Sequence, residues 1–310
     1  MKNSALPKSK SLVEQAILKT LIYGDVFHFP LTKEEIWEYL ISKKKIDQDA
    51  FATALHSLKK KDIVYRDGYY CLPGSEVCLT RRQEALPEFA NKMILARKAA
   101  SQLSYIPTIL LIGISGGVAV GNVSPEDDVD LFIITKKNTL FMTRLWILAV
   151  LEVLQLRRVR NEKNPANKIC VNLLIEETAL AWPTKKHDLY VAHEIAQMKP
   201  LFEREGMYAQ FLSANQWIKK FLPNAVSSDH FHTKSVMRRK YYILIMLDYV
   251  LRIFALEFFA RKVQKYTMKR HQTKEIVQNN FLALHPINYG SQSLRILREK
   301  TQLLGLLTKT

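Results

Sequence analysis

Asp128 and Asp130 are separated by one residue in the run Asp127-Asp128-Val129-Asp130-Leu131-Phe132-Ile133-Ile134. In an extended segment alternate side chains share a face, so these two carboxylates point the same way. Neighbouring carboxylates repel, and each raises the other's pKa unless a cation sits between them. Such a pair on an otherwise apolar strand has few structural reasons to exist. Mg²⁺ binds through one or two carboxylates together with substrate phosphate oxygens, which makes the pair a candidate site for Mg²⁺ or Mn²⁺. Upstream, Ser115-Gly116-Gly117 follows the apolar run Ile109-Leu110-Leu111-Ile112-Gly113. Glycine lets backbone N–H groups approach a phosphate closely. Ser115, Gly116 and Gly117 are therefore candidate triphosphate binders, with Asp128 and Asp130 as candidate metal ligands beside them. A side chain added at Gly117 is expected to obstruct the phosphate rather than a core.

These residues need a scaffold, and three blocks supply it: 1–76, 77–202 and 203–310. In the first, Val13, Ile17, Leu18, Leu21 and Ile22 recur at helical spacing up to about Gly24. Thr32 followed by Glu35 is a capping-box signature ahead of Ile36, Trp37 and Leu40. Phe51, Leu55 and Leu58 mark a third helix, and residues 63–72 read as a hairpin around Asp67-Gly68. Three helices followed by a hairpin is the order of a winged helix-turn-helix. The second block predicts a helix over about 80–104, strands at Ile109–Gly113, Val129–Thr135 and Lys168–Ile175, and helices over 139–156 and Asp188–Phe202. Strands alternating with helices imply an α/β or α+β core. Residues 203–310 are mostly helical in period, with Pro223 and Pro286 as breakers.

The segment from Gly116 to Leu131 resembles the signature of the DNA-polymerase-β-type nucleotidyltransferases. In that signature a Gly-Gly or Gly-Ser turn is followed, after a spacer, by Asp-hydrophobic-Asp-hydrophobic. Here Gly116-Gly117, residues 118–127 and Asp128-Val129-Asp130-Leu131 fill those places. The likeness covers about 105–176, and the whole chain resembles prokaryotic nucleotidyltransferase-domain proteins that begin with a winged helix. It implies an α+β fold: a nucleotidyltransferase-type mixed sheet, an N-terminal winged helix and a basic helical C-terminal region. The implied site roles are Ser115, Gly116 and Gly117 on the triphosphate, and Asp128 and Asp130 as catalytic metal ligands. A third carboxylate is usual on a later strand, where this chain has Asn172 in Lys168–Ile175. Asparagine can coordinate a metal but cannot take a proton at neutral pH. Glu176, Glu177, Asp188 and Glu194 are the nearby acids that could take over that role.

Composition narrows the class further. The 310 residues are 48% hydrophobic and 24% charged, which excludes a mainly disordered chain. Cys71, Cys78 and Cys170 form neither a CxxC nor an even set, so a disulfide scaffold is not expected and a reducing cytoplasm fits. MKNSALPKSK has no apolar core of a secretory signal. The net charge is +17, and residues 201–310, with 18 basic and 7 acidic side chains, hold most of it. That field attracts phosphates, so weak nucleic-acid binding is expected. Duplex reading by the winged helix is opposed by Asp47 and Asp49 at the start of its third helix. Tyr241–Phe259 is long and apolar, yet Asp248, Arg252 and Glu257 make a membrane span costly and a buried helix the better reading. His230 and His232 read as surface-loop residues rather than a metal site.

The expectation from sequence is a Mg²⁺- or Mn²⁺-dependent nucleotidyltransferase. It would move a nucleoside monophosphate from an NTP to an acceptor hydroxyl on a small molecule, protein or nucleic acid. The alternative is a catalytically silent protein of the same fold that regulates by binding nucleotide or nucleic acid.

Overall fold

A computed structural model describes residues 10–59, 62–159, 162, 164–225, 254–269, 276–284 and 289–305. Within these, the chain is a mixture of helices and two sheets, an α+β arrangement whose larger sheet is mixed. Arg238, Arg239, Lys240, His230, His232 and residues 241–253 lie outside the described residues.

The N-terminal unit comprises helices α1 (Leu12–Val26), α2 (Lys33–Glu38) and α3 (Gln48–Lys59), with short strands β1 (Leu31–Thr32), β2 (Val64–Arg66) and β3 (Tyr69–Cys71). The strands pair antiparallel in the order β1-β3-β2. Thr32 and Glu35 form the capping box expected of them. Asp67 and Gly68 both take positive φ (53° and 86°), the conformation a tight two-residue hairpin requires. Asp47, read above as an obstacle to duplex binding, has a local task. Its carboxylate accepts from the backbone N–H of Asp49 and Ala50 at the start of α3.

The larger sheet has strands β4 (Ile109–Ile114), β5 (Val129–Thr135), β6 (Ile169–Glu176), β7 (Lys199–Glu203), β8 (Ile276–Val277) and β9 (Phe281–Ala283), in the order β7-β4-β5-β6-β9-β8. Among the described residues, β5 and β6 are the strands of this sheet that pair parallel, and the other neighbours pair antiparallel. Val129, Leu131 and Ile133 of β5 face a core made with α5 (Leu86–Leu103) and α7 (Leu140–Val153). Phe132 and Ile134 face the opposite core, made with α8 (Leu189–Gln197) and α9 (Met207–Ala214). Period-two alternation therefore assigns Asp130 to the α8 side of the sheet.

Several expectations change. The helix expected over 80–104 is two, α4 (Val77–Glu84) and α5, meeting at Ala85. The helix expected through Phe202 stops at Gln197, and Lys199–Glu203 instead forms the edge strand β7. Pro200 is tolerated there because an edge strand can spare one N–H. The region 203–310 is not purely helical, since β8 and β9 extend the core sheet. Its described helices are α9, Phe254–Lys269 and Tyr289–Leu303. Glu257, counted above as a charge opposing membrane insertion, is buried. Its carboxylate accepts from the backbone N–H of Phe141 (3.1 Å) and Met142 (2.8 Å), closing the first turn of α7. Among the described residues, no helix is long and apolar enough to cross a membrane.

Candidate active site

Asp128 immediately precedes β5 and Asp130 is its second residue, so the pair straddles the strand's start rather than lying wholly within it. The loop before them is tied down by Lys92, a fully buried lysine of α5. Its ammonium donates to the carbonyls of Asp127 (2.7 Å) and Pro125 (3.3 Å) and pairs with Glu88 at 2.9 Å. A lysine buried this completely persists because its hydrogen bonds replace lost water. Asp127 is a turn residue, its carboxylate accepting from the Ser124 N–H at 2.7 Å.

Across the parallel pair Asp130 stands opposite Cys170 of β6. The ligating atoms of Asp128, Asp130 and Cys170 all lie within 4.8 Å of one another. Burial, and then the neighbouring Asp130, raise the Asp128 pKa above the ordinary carboxylate value, while Arg158 acts the other way. Arg158 donates to Asp128 at 2.5 Å. Burial and the two carboxylates keep the Cys170 thiol protonated, and it is hydrogen-bonded to Asp130.

The turn between β4 and β5, which leads into the short helix α6 (Gly116–Val120), is fitted to this pair. The Ser115 N–H donates to the Asp130 carbonyl at 3.0 Å. Gly116 has φ +65°, and a Cβ there would stand 2.9 Å from Asp130 Oδ2. Glycine is thus required twice, by the backbone conformation and by the carboxylate beside it. At Gly117 an added side chain would meet the protein itself, so the expectation that it would obstruct a phosphate alone is corrected. A Cβ on Gly117 would meet the backbone carbonyl of Asn122 at 2.5 Å, and the Asn122 N–H donates back to the Gly117 carbonyl at 2.9 Å. The absent side chain makes room for the protein's own loop.

A cavity of about 380 Å³ opens onto Gly116, Gly117, Asp128, Asp130 and Arg158. The N-terminal unit supplies another wall through Tyr23, Phe27 and Tyr39, and α8 a third through Tyr190, His193 and Glu194. Asn122 fastens the glycine turn to α1 by donating to the Phe27 carbonyl at 3.1 Å. His193 stacks on Tyr23 with ring centroids 3.9 Å apart. Its Nδ1 lies 2.9 Å from the Leu189 carbonyl, which places the proton on that nitrogen. Burial pushes its pKa down to about 4, so the ring is neutral at pH 7.

The structure therefore brings Gly116, Gly117, Asp128 and Asp130 to one cavity, while Ser115 lines an adjoining one. Asn172, expected where a third carboxylate would stand, also lines that adjoining cavity. It sits at the register shift where Leu131 pairs with Val171 and Phe132 with Leu173, and Cys170 is the residue facing Asp130. Of the alternative acids, Glu176 pairs with Thr135 at the other end of β6, and Glu177 accepts from the Lys137 N–H. Asp188 caps α8 by accepting from the Val191 N–H at 2.8 Å. Glu194 alone among the four lines the cavity that holds Asp128 and Asp130. Arg158, Cys170, Lys92, Tyr23 and Tyr39 were not singled out from sequence, because each reaches the site through tertiary packing rather than a local motif. Comparison with protein-family models, curated proteins and solved structures finds no match.

Proposed function

We propose that this chain is a divalent-metal-dependent nucleotidyltransferase, transferring a nucleoside monophosphate from an NTP to an acceptor hydroxyl with release of pyrophosphate. The observation carrying this reading is the seating of the Gly116 turn against Asp130 Oδ2, with Asp128 and a large cavity alongside. The residues fit a metal: burial and the neighbouring Asp130 disfavour the charged form of Asp128, and a glycine stands where a side chain would crowd Asp130. Asp128 and Asp130 would hold Mg²⁺ or Mn²⁺. When bound, such an ion neutralises phosphate charge and steadies an in-line displacement.

The chain's own residues do the rest. Ser115, Gly116 and Gly117 belong to the turn proposed to bind the phosphates. Arg158, which donates to Asp128, is a cation at the same wall, of a type that also pairs with phosphate oxygens. Tyr23, Phe27 and Tyr39 offer aromatic faces on which a base can stack. The N-terminal unit, which fits a winged helix in its order of elements, acts here as a wall of the nucleotide cavity. Positioning and charge neutralisation supply most of the catalysis in reactions of this kind.

One observation favours the silent, regulatory alternative. Arg158 already pairs with Asp128, and Cys170 rather than a carboxylate stands across from Asp130 in the sheet. Incubation with each α-labelled NTP and Mg²⁺ or Mn²⁺ against cell extract separates the two. A labelled acceptor and released pyrophosphate are expected; tight nucleotide binding without either would establish the regulator.

A further inference from the structure

A second cavity of about 200 Å³ adjoins the first, and the two share Tyr190 and Glu194 as a common wall. Ser115, next to the Gly116 of the first cavity, lines the second, as does Asn172. The Ser115 hydroxyl is buried, only 8% of the residue being exposed, and has no hydrogen-bond partner among the described residues. A buried hydroxyl in that state marks a place where a polar ligand group would be favoured. Phe132 and Trp182 give the same cavity apolar surface. Its size suits a compound of roughly monosaccharide dimensions and not a folded protein or a helical nucleic acid.

We propose that this second cavity holds the acceptor, a low-molecular-weight hydroxyl compound, and that Glu194 takes the proton from its hydroxyl group. The proposal rests on the nucleotide-transfer reading above. The acceptor oxygen forms a bond to the α-phosphorus, and the bond from that phosphorus to the α–β bridging oxygen breaks. The electron pair leaves with pyrophosphate, and the hydroxyl proton goes to the Glu194 carboxylate. Among the described residues Glu194 is the one carboxylate common to both cavities. Asn172 cannot accept a proton, and Asp188 of the second cavity is engaged with the Val191 N–H. Residues 190 and 194 are one helical turn apart on α8, and the Tyr190 hydroxyl is hydrogen-bonded to Glu194. That phenol orients the carboxylate; its own ionisation is strongly opposed by burial and by Glu194. Glu194 thus occupies, from a helix, the role that Asn172 cannot fill from a strand.

The test uses the full chain, α-labelled NTP and Mn²⁺, with cell extract divided into an ultrafiltrate and the retained macromolecules. Labelled product should arise from the ultrafiltrate. Ala283→Phe fills the second cavity from β9, away from the first, and should slow transfer roughly tenfold or more while Mn²⁺-nucleotide binding is unchanged. Glu194→Gln should lower kcat on the order of a hundredfold and flatten the acidic limb of the pH–rate profile, which a merely structural role would not do. Product from the macromolecular fraction alone, or undiminished transfer by both variants, overturns the assignment. So does wild-type protein that binds nucleotide but labels neither fraction. Failure to bind Mn²⁺-nucleotide at all removes the underlying transferase reading, and the acceptor site with it.

Discussion

Cys170 of β6 stands directly opposite Asp130 of β5 in the parallel pair that these two strands form. With Asp128, the two residues present a sulfur and two carboxylates within 4.8 Å. Thiolate donors favour softer ions than Mg²⁺. Cd²⁺, a soft ion able to displace the thiol proton, should therefore bind more tightly than Mg²⁺. Cys170→Ser should reduce Cd²⁺ affinity on the order of tenfold and leave Mg²⁺ little changed. Equilibrium dialysis of both proteins with each ion decides the matter, and equal Cd²⁺ affinities would exclude the sulfur as a ligand.

The raised pKa of Asp128 gives a pH-dependent stability. Folding favours its protonated form, so this contribution is complete below the ordinary value of 3.8 and is lost as pH rises through the higher folded value. At neutral pH the ionised Asp128 opposes folding. Asp128→Asn should then melt at a higher temperature than wild type at pH 7, and the gap should close in acid. A variant less stable than wild type across the whole range would show that the Arg158 ion pair outweighs burial and Asp130.

Gly117 is expected to be a stability position first. Gly117→Ala forces a Cβ to within 2.5 Å of the Asn122 carbonyl, so the loop must move or the variant loses about 1–3 kcal/mol. Denaturant unfolding measures this. An unchanged midpoint would mean that the loop yields freely and that glycine serves another purpose.

Glu257 ties the helix Phe254–Lys269 to the first turn of α7 through the Phe141 and Met142 N–H groups. Glu257→Ala leaves those two buried donors unpaired and should cost about 1–2 kcal/mol. Glu257→Gln, which keeps one acceptor oxygen, should cost less. Equal losses in the two variants would point to the Arg261 ion pair instead.

Local signals carried much of what positions the site. The capping box at Thr32, the Asp67-Gly68 turn and the apolar runs of β4 and β5 each depend on neighbours in sequence, and each stands where expected. The Asp128–Asp130 pair and the Gly116 turn were legible for the same reason. What could not be read was brought from afar. Cys170 reaches Asp130 through strand pairing, Lys92 reaches Asp127 from another helix, and Tyr23 reaches the cavity from the N-terminal unit. β7 was hidden because Lys199–Glu203 continues the helical period of α8, and only Pro200 hinted at a break. The carbonyl that a Gly117 side chain would meet lies five residues on, invisible without the loop's path.

The most direct measurement is calorimetric titration of Mn²⁺ with a non-hydrolysable NTP analogue into wild type, Asp130→Ala and Asp128→Ala. Wild type should bind the metal and nucleotide together, each depending on the other. Each alanine variant should lose binding on the order of a hundredfold or more, since each removes a ligand of the same ion. Asp128→Ala should remain folded, because that carboxylate opposes folding at neutral pH. Folded variants that bind Mn²⁺-nucleotide as tightly as wild type would contradict a metal–nucleotide site at Asp128 and Asp130.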